Sequence, residues 1–200
     1  GAVAYGDYKS SIIDSSILKI ALEYTKTFGG RIISFCQDQF LSEGGVINES
    51  IVSTELGLKG IPDISESVNL YRDIQILGYS GGKLHVPYVT THKGVELIRD
   101  AKKRNLDITA STSIAHLILS DKDIDNFNTN LKIIPPLRSK IDSESIKQGL
   151  IDGTIDYLTS MHEPIDVDNK KVVFDHASPG SIGLECLFGI MCNNFTLEKT

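Results

Sequence analysis

The stretch that decides the fold is GKLHVPYVTTHKGVELIRDAKKRNLDITASTS, residues 82–113. It begins with an apolar run rich in β-branched residues and continues, over residues 92–106, with apolar positions at helical spacing. Residues 107–113 then form a second run of strand type. A strand, a helix and a strand in this order indicate a βαβ unit, in which the two strands are parallel.

The same alternation extends on both sides of this unit. Further strands are predicted at 1–7, 31–36 and 154–161, and further helices at 10–30, 44–54, 64–77 and 143–152. About five strand and helix units predict an α/β fold with a parallel sheet, more than half of an eight-fold barrel. Because a free sheet edge is a liability, we expect residues 1–200 to form one partial barrel domain whose N-terminal strands lie outside this chain.

Composition narrows the classes of function. The 200 residues are 40% hydrophobic and 23% charged, as in ordinary globular proteins, and the net charge of −6 argues against nucleic-acid or anionic membrane surfaces. No apolar run approaches a membrane span, and no signal-peptide pattern opens the chain. Three scattered cysteines, Cys36, Cys186 and Cys192, predict buried thiols in a reducing, cytoplasmic setting rather than disulfides.

Four segments together carry a resemblance to a known family. They are GLKGIPDISESVNLYRDI (57–74), KIIPPLR (132–138), GLIDGTIDYLTSMHEP (149–164) and FDHASPGSIGLE (174–185). In order and spacing, across essentially the whole chain, they resemble the dihydroorotases of the amidohydrolase superfamily. The resemblance implies the C-terminal portion of a metal-centred (β/α)8 TIM-type barrel. It also implies reversible ring closure of carbamoyl aspartate to dihydroorotate in pyrimidine synthesis, with a first His-x-His metal motif upstream of residue 1.

The chain departs from the family at the positions that hold zinc. The resemblance places a ligand aspartate at Tyr8, ligand histidines at Phe35 and Tyr88, and the aspartate that is both ligand and general base at Met161. Phenylalanine has no donor atom, methionine sulfur is soft and neutral, and a neutral tyrosine must first lose a proton of pKa near 10. These residues predict no catalytic group, no metal and no cofactor, whereas the active family uses zinc.

The substrate positions also depart from the family. Ile134 and Ile165 stand where the resemblance implies an asparagine and a histidine, so we expect an apolar, aromatic barrel mouth rather than an ionic one. Two histidines lie nearby, His85 and His162. A hydrogen-bonded structural role is expected for both, with a ligand role for His85 and a catalytic relic at His162 as alternatives.

Several other residues have a functional and a structural interpretation. Asp7, Asp38 and Glu49 provide the donors for a different metal site with His85 and His162, although nothing in their spacing requires one. Structural roles are predicted for His116, His176 and Arg138. The glycines of SPGSIGLE (178–185) predict a tight loop, because no Lys-Ser/Thr follows as a phosphate-binding loop would need.

Three functions remain open from the sequence. The first is a non-catalytic dihydroorotase homologue that acts as a structural or regulatory partner, with aspartate transcarbamoylase or a second copy of the chain as partner by resemblance. The alternative is an active dihydroorotase or related cyclic amidohydrolase that cleaves a C–N bond of a cyclic amide with an altered site. A third is a sensor whose emptied barrel binds a small apolar molecule.

Overall fold

The computed structural model describes residues 1–195. Its strands are β1 (Ala4–Gly6), β2 (Arg31–Ile33), β3 (Ile47–Asn48), β4 (Gly60–Ile61), β5 (Leu84–Val86), β6 (Ile108–Ser113) and β7 (Tyr157–Thr159). Five of them form one parallel sheet in the order β1-β2-β5-β6-β7, and β3 and β4 form a separate parallel pair. Neighbours in the larger sheet follow one another along the chain, which agrees with the predicted portion of an α/β barrel.

The helices connect these strands and cover one face of the sheet. They are α1 (Ser15–Lys26), α2 (Ile51–Leu56), α3 (Ile64–Ser80), α4 (His92–Lys103), α5 (Ile114–Ile118), α6 (Lys140–Ile151), α7 (Val167–Lys170) and α8 (Leu187–Asn194). Short 3-10 helices lie at Asp121–Asp123, Thr129–Leu131 and Phe174–His176. None of the helices in residues 1–195 is long and apolar enough to cross a membrane.

The predicted βαβ unit of residues 82–113 forms as β5, α4 and β6. Helix α4 begins after Thr91, whose hydroxyl accepts a hydrogen bond from the Gly94 N–H at 2.9 Å. Its apolar face, with Val95 and Ile98, is buried against the main core. This core lies between the sheet and helices α1, α3, α4 and α6, and a second, smaller apolar cluster lies beyond the carboxyl ends of the strands.

Some local predictions were wrong. Residues 44–54 form strand β3 and only the first part of α2, because Gly44 takes a positive φ of 66° and Ser50 caps a helix that begins at Ile51. Helix α5 was not predicted, since its five residues are too few for a periodic signal. All three cysteines are free, as expected, but Cys186 and Cys192 are exposed because they lie at the surface near α8, and only Cys36 is buried.

Candidate functional site

The four predicted ligand positions occupy equivalent places in the sheet. Tyr8, Phe35, Tyr88 and Met161 each lie two residues beyond the last residue of their strand, β1, β2, β5 and β7 respectively. The strands are parallel, so the four residues lie along one rim, at the carboxyl ends where α/β barrels carry their sites. The structure therefore places the four positions that the sequence singled out along one edge of the sheet.

Backbone conformation distinguishes three of these positions. Tyr8 and Tyr88 both have a φ of 56°, and Met161 has a φ of 48°. Residues with a Cβ rarely adopt this left-handed region, and such conformations are concentrated at functional sites. The same left-handed conformation thus recurs two residues beyond three different strands.

The side chains at the rim do not converge as a ligand set. Phe35 and Met161 are buried, and Met161, at 3% exposure, belongs to the smaller apolar cluster. Tyr88 packs partly against the same cluster, and burial raises the pKa of its phenol. Tyr8 points outward, with 69% of its surface exposed. Met161 and Tyr88 are thus part of the apolar packing.

An ion pair lies at this rim, contrary to the prediction of a purely apolar, aromatic mouth. Lys9 Nζ lies 2.6 Å from Glu163 Oε2, and the Tyr8 hydroxyl donates a hydrogen bond to Glu163 Oε1. The Lys9 and Glu163 side chains are only 14% and 19% exposed. The prediction failed because the two charges are 154 residues apart and meet only in the folded chain.

Aromatic rings surround the ammonium of this pair. Lys9 Nζ lies 5.3 Å from the Tyr88 ring centroid and 5.9 Å from the Tyr8 ring centroid, within the range of cation–π attraction. Burial lowers the pKa of Lys9 to about 8 and raises the pKa of Glu163. At pH 7 the rim therefore carries a resident cation between two of the predicted ligand positions.

His85 has the structural role that the sequence predicted. Its Nδ1 lies 3.0 Å from Thr109 Oγ1, and its Nε2 lies 2.8 Å from the Tyr157 hydroxyl and 3.3 Å from Ser111 Oγ. The Tyr157 ring stacks on it at an angle of 12°. Burial, together with the positive charge of Arg31, lowers the pKa of His85 to about 4. Both ring nitrogens are engaged, so His85 is a satisfied buried histidine.

Three other histidines that the sequence singled out, His116, His162 and His176, lie in different environments. His116 is buried, with Nδ1 2.7 Å from Ser113 Oγ and Nε2 3.0 Å from the Pro135 carbonyl, and burial lowers its pKa to about 4. His162 is exposed and its Nδ1 accepts a 3.4 Å hydrogen bond from the Leu184 N–H. His176 is exposed on a 3-10 helix. The structure does not bring these three rings together.

The two predicted substrate positions do not join the ion pair. Ile134 is half-buried, and Ile165 lines an apolar cavity of about 470 Å³ between α5, the segment 130–137 and the loop 180–183. A second cavity of about 480 Å³ lies on the inner side of the sheet, lined by Tyr8, Tyr88, His85 and Tyr157 among others. Of the two positions, only Ile165 therefore contributes its apolar side chain to this cavity.

The residues described do not suit a hydrolytic zinc centre. Within residues 1–195 no group of three His, Cys, Asp or Glu side chains is placed to hold a metal, and this covers Asp7, Asp38 and Glu49. Asp38 instead accepts hydrogen bonds from the backbone N–H groups of Phe40 and Leu41. The Lys9 ammonium would also repel a divalent cation at the rim. The donor set on this part of the chain does not fit zinc.

Arg138 is a structural anchor, as predicted, within a buried polar network that the sequence did not reveal. Glu66 on α3 accepts hydrogen bonds from the backbone N–H groups and hydroxyls of Thr90 and Thr91. Arg138 Nε lies 3.3 Å from Thr90 Oγ1, and its Nη1 donates to Asn48 Oδ1 at 2.9 Å. The network ties α3 and β3 to the segment after β5, directly beside Tyr88.

The glycines of residues 178–185 form the tight loop that the sequence predicted. A Cβ on Gly183 would lie 2.0 Å from the Ser160 carbonyl oxygen, so only glycine fits this close approach. Gly180, with a φ of 147°, donates its N–H to the Lys132 carbonyl at 2.9 Å. Glu163 donates its own N–H to the Ser181 carbonyl at 2.8 Å, which fixes the segment after β7 against this loop.

Known proteins resemble the chain over most of its length. No protein-family model matches it. It is 43% identical over 185 residues to the dihydroorotase of Syntrophus aciditrophicus, covering 92% of this chain and 43% of that protein. It is 41% identical over 198 residues to the dihydroorotase of Caldanaerobacter subterraneus subsp. tengcongensis, covering 99% and 46% respectively. The chain thus spans less than half the length of these relatives.

Solved structures show the same fold. The L-hydantoinase (dihydropyrimidinase) from Arthrobacter aurescens matches with a TM-score of 0.80 at 21% identity, covering 99% of this chain and 48% of that one. A D-hydantoinase matches with a TM-score of 0.79 at 21% identity, covering 96% and 45% respectively. The predicted fold class is confirmed: the chain has the α/β fold of part of a TIM barrel, as these hydantoinases do, and its sequence is similar to those of dihydroorotases.

Proposed function

We propose that this chain is part of a dihydroorotase-like protein of pyrimidine biosynthesis that does not hydrolyse through zinc and acts as a structural or regulatory partner. The observation that carries the proposal is the chemistry of the rim. The backbone of a site is retained at Tyr8, Tyr88 and Met161, while the side chains there offer no ligand set.

The chemistry of hydrolysis is the reason why this combination supports the proposal. A hydrolytic metal needs nitrogen or oxygen donors and one open position for the water that it activates. The attacking water also needs a proton acceptor, a role usually worth about 10² to 10⁴ in rate. Met161, where the resemblance places that acceptor, is buried among apolar side chains and has no basic atom.

The partner is part of the same proposal. Aspartate transcarbamoylase, or a second copy of the chain, is the partner that the family resemblance favours. A cytoplasmic location fits the three free cysteines, all of which lie in the described residues. Purified protein mixed with aspartate transcarbamoylase from the same source should elute as a complex on size-exclusion chromatography, and two separate peaks would contradict this partner.

A second candidate is an active dihydroorotase or related cyclic amidohydrolase. It is favoured by the 41–43% identity to proteins that bear the name dihydroorotase. In that case Glu163, a partly buried carboxylate two residues beyond Met161, is the rim group of this chain best placed to accept a proton. Lys9 and Tyr8, which hold that carboxylate, would then set its orientation.

One assay separates the two candidates. Dihydroorotate hydrolysis and the reverse cyclisation are measured on the full-length protein with added zinc, beside the Syntrophus aciditrophicus dihydroorotase. We expect rates at background for this protein. A variant of that relative with methionine at the residue aligned with Met161 is the matched control and should lose activity. Turnover of the full-length protein near that of the unmodified relative would establish the enzyme instead.

A further inference from the structure

The two edges of the five-stranded sheet are connected across the barrel mouth by one set of side chains. Strands β1 and β7 are the edge strands, separated in the sheet by β2, β5 and β6. Lys9 follows β1, Glu163 follows β7, and their charged atoms lie 2.6 Å apart. The contact therefore spans the mouth rather than linking neighbouring strands.

Both sides of this contact are anchored. Glu163 is held by the Tyr8 hydroxyl on its second carboxylate oxygen and by its backbone bond to Ser181. The Lys9 ammonium lies near the rings of Tyr8 and Tyr88, so it also reaches the end of β5. One cation thus contacts groups from the ends of three strands.

We propose that the Lys9 ammonium, clasped by Glu163 and flanked by Tyr8 and Tyr88, takes the place of a metal ion as the cation that joins the strand ends of this barrel. The Lys9–Glu163 clasp rests on the proposed function, since it assigns to the same rim a structural cation in place of a hydrolytic one. A metal would join these strand ends through its ligands, and the clasp does so through one ion pair and two aromatic rings. The folded geometry of the mouth then needs no divalent metal.

Partial burial should make the Lys9–Glu163 clasp contribute more to stability than a surface ion pair does. Exposed pairs contribute little, because water screens them and their long side chains lose freedom. Lys9 and Glu163 are mostly shielded from water and carry additional hydrogen-bond and aromatic contacts, so removal of one charge leaves the other poorly solvated. The exposed pair Lys93–Glu96 on α4 lacks these contacts and is the matched control.

The test is a double-mutant cycle on the full-length protein, read by thermal unfolding with added zinc and with EDTA. We expect K9M and E163Q each to lower the melting temperature by about 5 °C, and K9M/E163Q to lower it by clearly less than the sum. K93M should leave it unchanged. Zinc and EDTA should not shift the wild-type value, and metal analysis should find less than one zinc per chain.

Every outcome of this experiment supports or overturns the Lys9–Glu163 clasp. Additive effects of K9M and E163Q would overturn the clasp, as would a zinc-dependent rise in the wild-type melting temperature with one bound zinc per chain. If K9M does not fold, Y8F, which removes the hydrogen bond to Glu163, takes its place in the cycle with E163Q, and K9R, which keeps the cation, should melt close to the wild type. Dihydroorotate turnover would overturn the proposed function separately, because coupling within the cycle is measured without substrate.

Discussion

Replacement of Met161 by aspartate tests whether this rim position has become part of the core. The resemblance places the family's catalytic aspartate here, yet Met161 is 3% exposed and packs in the smaller apolar cluster with Ile133, Leu137 and Phe174. If the site were still functional, M161D would restore chemistry at little cost in stability. If the position is now core, M161D should destabilise the fold.

The change in the free energy of unfolding expected for M161D is the sum of three contributions. Loss of the buried methionine side chain costs about 1.5–3 kcal/mol. An ionised carboxylate without a partner in an apolar cluster adds about 1–3 kcal/mol. Aspartate accepts the left-handed conformation at φ 48° more readily than methionine, which returns about 1 kcal/mol. We expect M161D to lower the free energy of unfolding by about 3 kcal/mol at pH 7.

Urea unfolding monitored by circular dichroism measures this difference. M161L, which conserves volume, is the control and should cost less than about 1.5 kcal/mol. Burial should raise the pKa of the introduced carboxyl, so the folded state binds the extra proton and the deficit should shrink as the pH falls towards 5. M161D as stable as M161L at pH 7, or a gain of zinc binding on this substitution, would refute the assignment of this position to the core.

Three further predictions concern Arg138, His116 and Tyr157. R138M should lower the free energy of unfolding by about 1–3 kcal/mol in urea, because it leaves the buried Asn48 Oδ1 and Ile61 carbonyl without their donor, whereas R99M at the surface should cost under about 1 kcal/mol. His116 has a folded pKa of about 4 and an unfolded pKa near 6.5, so the unfolded chain binds the extra proton between these values. The free energy of unfolding should therefore fall by up to about 3 kcal/mol from pH 7 to pH 4. Urea titrations at several pH values should show that H116Q weakens this pH dependence. The same pH dependence in H116Q and the wild type would contradict the role of His116. Y157F should cost about 1 kcal/mol through the lost bond to His85 Nε2, and an unchanged urea midpoint would refute that contribution.

Much of the fold was predictable because it depends on short-range patterns. The apolar periodicity of residues 82–113 gives β5, α4 and β6 with boundaries close to those observed. The rim was also predictable, since Tyr88 and Met161 lie at the ends of predicted strands and parallel strands end at one edge. Residues 44–54 were misjudged because apolar spacing there suits a helix, whereas Gly44 and Ser50 delay the helix to Ile51.

The charges at the candidate site were not predictable in the same way. Lys9 and Glu163 lie in unrelated local sequences, and they meet only in the folded chain, where they follow the two edge strands of the sheet. Glu66 lies on a helix with a polar local pattern, yet it is buried because Thr90 and Thr91 supply its hydrogen bonds. Opposite charges at two predicted strand ends, as in Tyr8-Lys9 and His162-Glu163, were the available signal for a contact at the rim.

The left-handed backbone at the rim needs surroundings that hold it in place. Conformations such as those of Tyr8, Tyr88 and Met161 cost of order 1–3 kcal/mol each and persist only where the surroundings hold them. In a metal site, coordination would hold them. Here Met161 is held by apolar packing, whereas Tyr8 is held by its bond to Glu163 and Tyr88 lies against both the cluster and the Lys9 ammonium. The Lys9–Glu163 clasp and the core position of Met161 therefore explain why the backbone of a site persists on this chain without its ligands.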